Sequence, residues 1–273
     1  MQGHGAIEGD QERKVGRGSL NRLVHDPMTA VRYGHLVGPD RSWAVRDDVH
    51  IQYLDRSGPL TAGFGANEGL IGPELQFGHT IGDAIDAPVL LIKVAWGGKS
   101  LAVDFRPPSS GGAKGPFYVE LIERVSASLA NLPAFVPGYA GQGYELRGFG
   151  WHQGWNDRVN QAFNDEYEVN LAHFIRDIRR DLNKPNLPFV VAETGMAGPG
   201  ETHPRALSLM SAQAAVASYP EFQGNVGFVG TRDFYRGPED SPSNQAYHWN
   251  RNAETYLLIG GAMARSMLDL IRN

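Results

Sequence analysis

Seven consecutive residues, Trp151-His152-Gln153-Gly154-Trp155-Asn156-Asp157, crowd hydrogen-bonding side chains between two tryptophans. Gln153 can donate its amide to a substrate oxygen. Trp151, Trp155 and Asn156 offer an apolar, stacking wall with a polar handle, a surface suited to sugar rings. The same run serves equally well as a polar loop whose tryptophans pack inward. A second candidate is His248, in the loop Tyr247-His248-Trp249-Asn250-Arg251-Asn252 just before the last helical pattern, where an imidazole is placed for general-base work. A third is Gly97-Gly98, at the end of the apolar run "VLLIKVAW" (89–96), where bare backbone can offer N–H groups to a developing oxyanion.

Other chemistries fail on spacing. "GGKS" (97–100) lacks the glycine that a phosphate loop needs five positions earlier, which here is Lys93, and no helix follows. Ser100 loosely mimics a nucleophile elbow, but "DFRPPSSGG" cannot form the helix that an elbow requires, so a tight turn is the better reading. Arg106 suits a carboxylate, but beside two prolines it reads better as a loop brace. The nine histidines show no metal-binding spacing, and the absence of cysteine removes thiol and Cys-zinc chemistry. No metal or cofactor is expected.

These groups need strands and helices to hold them. Strands are predicted at 49–54, 89–96, 146–151, 187–193 and 225–230. Helices are predicted at 73–85, 117–129, 164–182, 204–219 and 252–271, the last with Asn252 as N-cap. Residues 1–48 read as irregular, although Gln2-Gly3-His4-Gly5 has the look of a functional loop. Alternation of strand and helix from residue 88 onward predicts an α/β fold, a three-layer parallel sheet flanked by helices. The near-continuous apolar run at 89–96 reads as a strand buried on both faces. In such a sheet the loops after 96, 151, 193 and 230 should converge. With no linker or repeat, residues 1–273 read as a single domain.

The composition limits the partners. The formal net charge of −5 leaves no basic excess for nucleic acid, and no apolar run approaches the ~20 residues of a membrane span.

Ala95-Trp96-Gly97-Gly98, Trp151-His152-Gln153-Gly154 and "HWNRNAETYLLIG" (248–260) together resemble blocks of the SGNH-hydrolase superfamily, most closely its sialate O-acetylesterase and acetylxylan-esterase-like branch. The resemblance runs over essentially the whole chain and implies a flavodoxin-like sheet. It implies a carbohydrate O-acetylesterase working by serine-histidine acyl transfer on an acetylated carbohydrate. His248 would be the base, and Gln153 with the Gly98 N–H the oxyanion donors.

The chain departs from that pattern twice. Many members carry Asp three residues before the histidine, where this chain has Gln245, so a backbone carbonyl or another acid, Asp157 or, less favoured by position, Asp233, is expected to orient the imidazole. The family's Gly-Gln-Ser-Asn-Met block is also missing, and Met1-Gln2-Gly3-His4 matches only its last residue and the positions after it. The nucleophile, the first central strand and any leader directing secretion or periplasmic export are therefore expected upstream of Met1. Esterase activity is expected to be absent from the chain as it stands. A glycan-binding homologue without turnover and a hydrolase using Ser100 are the alternatives.

Overall fold

The computed structural model describes residues 1–9 and 16–272; residues 10–15, within the stretch read as irregular, lie outside the described residues. The chain packs as two compact units. The first contains Met1–Ala95, Met196–Pro199 and Arg232–Ala264, and the second Trp96–Gly195, Gly200–Thr231 and the C-terminal residues from Arg265.

In the first unit the short strand β1 (Gly5–Ala6) is followed by helices α1 (Leu20–His25) and α2 (Pro27–Tyr33). Neither helix is expected from the sequence, because six and seven residues are too few to establish a period. Their start signals are nonetheless present: Ser19 caps α1 by accepting from the Arg22 N–H, and Asp26 caps α2 ahead of Pro27. Strand β2 (Arg46–Tyr53) turns into the antiparallel β3 (Arg56–Leu60). Then come β4 (Leu70–Ile71), which pairs with β1, helix α3 (Glu74–Gly82) and β5 (Val89–Lys93), which pairs in parallel with β2. Leu20, Leu23, Val49, Ile51, Leu60, Ile71, Leu75 and Leu257 form the core of this unit.

β5 corrects the expectation of a strand buried on both faces. Each of its residues is only half-buried, and β2 is its one partner among the described residues. An apolar run reports the affinity of side chains for a core but not whether the strand's second hydrogen-bonding edge is covered.

The second unit holds helix α4 (Pro116–Ala130) and the parallel strands β6 (Phe149–Trp151), β7 (Phe189–Ala192) and β8 (Val226–Val229), with β7 in the middle. Its other helices are α5 (Trp155–Arg158), α6 (Gln161–Asp165), α7 (Tyr167–Asp181) and α8 (Pro204–Ala217). The single helix predicted at 164–182 is thus broken at Glu166. The face of α7 carrying Tyr167, Leu171, Phe174, Ile175 and Ile178 is fully buried, as its period required. The closing helix α9 (Ala253–Arg272) begins where the Asn252 side chain accepts from the Thr255 N–H at 3.2 Å.

The α/β class holds. The first unit holds the sheet β3-β2-β5, in which β2 and β5 are parallel, and the small β1-β4 pair; the second holds the parallel sheet β6-β7-β8. Among the described residues no helix is long and apolar enough to cross a membrane.

Candidate active site

In the second unit, the loops following the strand ends at 96, 151, 193 and 230 are stitched together by buried polar side chains. Asp157 makes the central knot. It is 0% exposed, and its carboxylate accepts from the Leu101 N–H at 2.9 and 3.0 Å, from the Ala102 N–H at 2.9 Å and from Gln153 Nε2 at 2.5 Å. Burial pushes this carboxyl up to about 6, against the downward pull of the hydrogen bonds from Gln153, Leu101 and Ala102.

Gln153 ties the same two loops. Its amide nitrogen donates to the Lys99 carbonyl at 2.9 Å as well as to Asp157, so both of its hydrogens are engaged within the fold. Its own backbone carbonyl accepts from the Tyr167 hydroxyl and from Gln213 Nε2, each at 2.9 Å. Gln213 in turn accepts from the Thr194 N–H at 2.9 Å, which joins the loop after β7. Thr231 completes the set. Its N–H donates to the Glu193 carboxylate at 2.9 Å and its hydroxyl to the Glu193 carbonyl at 2.8 Å. Sequence reasoning misses Gln213, because a glutamine in the middle of an amphipathic helix carries no motif.

Gly98 sits on this framework, exposed, with φ +68°. Its carbonyl accepts from Asn156 Nδ2, and among the described residues its N–H makes no hydrogen bond. A backbone donor on a braced loop is what an oxyanion requires.

The two tryptophans part company. Trp151 is buried, with ring centroids 4.4 Å from Phe174 and 5.3 Å from Phe105, and its indole N–H reaches the Tyr167 hydroxyl at 3.4 Å. It packs into the core, the bland alternative for that residue. Trp155 is half-exposed beneath the Arg158 guanidinium, 4.7 Å from the ring centroid, and remains at the surface with Asn156. His152, between them in sequence, is buried, and that burial lowers its pKa to about 3.

Two residues take their plainer reading. Ser100 is 2% exposed, and its hydroxyl donates to Asp104 at 3.0 Å while accepting from the Val103 N–H at 3.2 Å. It caps a turn, and no imidazole is among its partners. Arg106 braces its loop through the carbonyls of Ala102, Ser110 and Gly111 and pairs with Glu166 at 3.1 Å. Among the described residues no three His, Cys, Asp or Glu side chains group as metal ligands.

In the first unit, His248 lies in the tight turn Ala246–Arg251. The three residues after it, Trp249, Asn250 and Arg251, all have left-handed backbone, with φ 50°, 53° and 59°. Non-glycine residues hold such angles only when their surroundings over-determine them. Here the Gln245 carbonyl accepts from the N–H groups of His248 at 2.8 Å and Asn250 at 3.0 Å. The Asn250 amide donates to the Tyr235 hydroxyl at 3.2 Å and to the Arg236 carbonyl at 2.9 Å. Burial and then Arg251 hold the His248 pKa below its ordinary value, which favours the neutral form.

The His248 ring touches no carboxylate among the described residues. Gln245 contributes its backbone carbonyl, and Asp233 is exposed and not a partner of the imidazole. The ring instead lies against His4, in the Gln2-Gly3-His4-Gly5 stretch that has the look of a functional loop.

A model of the family described as carbohydrate esterase, sialic acid-specific acetylesterase matches residues 3–269. Comparison with curated proteins finds no match. Among solved structures, a protein from Arabidopsis thaliana is similar with a TM-score of 0.59 and 17% identity, over 84% of this chain and 88% of that one. A carbohydrate acetylesterase from Xanthomonas citri is similar with a TM-score of 0.55 and 13% identity, over 80% of this chain and 48% of that longer one. At such identities these two likenesses speak for the fold alone. The family match covers both the braced loops around Gly98, Gln153 and Asp157 and the turn that carries His248, and by it this chain belongs to the carbohydrate esterase, sialic acid-specific acetylesterase family.

Proposed function

We propose that the protein hydrolyses acetyl esters on a carbohydrate by acyl transfer. His248, held toward its neutral form by burial and by Arg251, takes the proton of the attacking hydroxyl and returns it to the departing sugar oxygen, then takes a proton from the water that attacks the acyl-enzyme and returns it to the enzyme hydroxyl as acetate leaves. The Gly98 N–H and the Gln153 amide stabilise the tetrahedral oxyanion. Gln153 exchanges its bond to the Lys99 carbonyl for the substrate oxygen when the ester binds. Trp155 and Asn156 form the sugar-facing edge. Asp157 keeps the donor loop in shape, and its orienting role toward the base is the alternative that mutagenesis separates. The attacking hydroxyl is a serine by the family resemblance, and it is not Ser100, which is spent on its turn.

The observation that supports this reading best is the knot of Asp157 and Gln153 on residues 99–102, which fixes a backbone donor at a strand end. The test is acetate release from O-acetylated sialic acid and acetylated xylo-oligosaccharides by the chain as given and by a form extended upstream with the family's Gly-Gln-Ser-Asn-Met block, with His248→Ala and Gln153→Ala made in each. His248→Ala is expected to abolish release, and Gln153→Ala to lower kcat by roughly 10²–10³. Release undiminished in His248→Ala would refute the assignment of the base. Sugar binding by calorimetry with no release in any form would favour a binding protein instead.

A further inference from the structure

The turn that carries His248 leaves open what orients the imidazole. A base in acyl transfer needs its ring fixed in one direction, a task a buried carboxylate performs in a Ser-His-Asp arrangement. Position 245 carries an amide, and among the described residues no acid reaches the ring.

We propose that His4 is the positioning residue of the base: its imidazole, stacked face to face on that of His248, fixes the ring orientation that an acid fixes elsewhere. The ring centroids are 3.7 Å apart and the planes 18° from parallel. Tyr247 tilts against His248 at 4.5 Å and 55°.

Both backbones are tied to one buried hydroxyl. Tyr256, fully buried, donates to the His248 carbonyl at 3.1 Å and takes a backbone hydrogen bond from His4. His4 is held from its other side as well. Gly5 pairs with Ile71 in the β1-β4 ladder, and Lys93 Nζ donates to the Gln2 carbonyl at 2.6 Å. Gly3 has φ +90° and passes so close to Gly72 that an added Cβ would lie 2.3 Å from its Cα. The left-handed run 249–251 fixes His248 in turn. With both backbones held, the stacked contact is what restricts rotation of the His248 ring.

The stack also fits the protonation the base needs. The charge of Arg251 acts on both rings and that of Lys93 on His4, and the carboxylate of Glu74 is already paired with Lys93 at 2.9 Å. Burial first, then His248, Arg251 and Lys93, lower His4 to about 4. Both rings therefore favour the neutral form at pH 7, and a proton on either ring is opposed by Arg251.

This inference rests on His248 being the base, and the test separates the two ideas. His4→Phe keeps a flat ring without ionisable nitrogen, and His4→Ala removes the ring. The imidazole Cε1–H resonance of His248, assigned with His248→Asn, is followed by NMR in the full chain and both variants. It is expected to keep its ring-current shift in His4→Phe and to lose it in His4→Ala. In acetate release, His4→Ala is expected to lower kcat about 2- to 10-fold at unchanged KM, with His4→Phe restoring most of it. An unmoved His248 resonance and unchanged kcat in His4→Ala would overturn the proposal. If His248→Ala is as active as the parent, or no form releases acetate, the catalytic reading fails, and the resonance comparison alone decides whether His4 orients the ring.

Discussion

Asp157→Ala removes the acceptor on which the loop after residue 96 depends. Leu101 is 0% and Ala102 2% exposed, so water cannot replace the carboxylate at either N–H. The substitution strands those two donors and one hydrogen of Gln153. Each buried unsatisfied donor costs ~1–3 kcal/mol, so the gross loss is about 3–9 kcal/mol. Against this stands the burial of the charge. A carboxyl raised from 3.8 to about 6 carries a penalty of about 3 kcal/mol once both the folded and unfolded chains are ionised. The net loss at pH 7.5 is therefore between about 0 and 6 kcal/mol.

The same figures fix a pH signature. A raised folded pKa contributes stability that is fully present below 3.8 and is lost as pH rises through about 6. The gap in stability between parent and variant should therefore widen as pH falls from 7.5 to 4.5, by about 2 kcal/mol. Other titrating groups are common to both proteins and cancel in that difference. Urea unfolding at pH 4.5, 6.0 and 7.5 measures it, and hydrogen exchange at Leu101 and Ala102 reports the loop directly. A gap that stays constant with pH, together with unchanged exchange at those two amides, would refute the brace. If Asp157 instead serves only to orient a base, Asp157→Asn should lower kcat and leave stability and exchange untouched.

Two other outcomes are expected of the same unit. His152 has its pKa lowered from 6.5 to about 3 by burial, so its contribution is present above 6.5 and is lost as pH falls toward 3. Acid unfolding should therefore steepen below pH 6.5 by several kcal/mol in total, and His152→Phe should flatten that limb of a stability-versus-pH curve. The tryptophans should separate in kinetics and melting. Trp151→Phe is expected to lose about 1–3 kcal/mol of stability with KM unchanged, since the ring packs on Phe105 and Phe174, whereas Trp155→Ala should raise KM for the acetylated sugar and leave the melting temperature near that of the parent.

Much of the scaffold is legible because period survives translation into packing. The stripe on α7 and the apolar runs of β7 and β8 declare their partners, and Asn252 and Pro204 mark helix starts where helices begin. Short elements do not declare themselves, since α1 and α2 end before a period repeats. β3 hides behind Gly58 and Pro59, residues that argue against a strand unless it runs at an edge, where β3 lies.

The candidate site divides along a different line. Residue type identifies Gln153, Asp157, Gly98 and His248 as groups able to do chemistry, but type says nothing of what already occupies them. The lone pairs of Asp157 are taken by backbone N–H groups some 55 positions earlier in the chain, and no spacing rule connects those positions. Ser100 and Arg106 likewise look reactive until their partners, Asp104 and three loop carbonyls, account for them. His4 is the converse case. A histidine between two glycines, 244 positions before the base, reads as part of a functional-looking loop but carries no signal of its partner. Only the meeting of the β1-β4 ladder with the 246–251 turn brings its ring onto His248. A polar residue's function is thus set by the hydrogen bonds left over once the fold has taken its share, and that remainder is a property of tertiary packing.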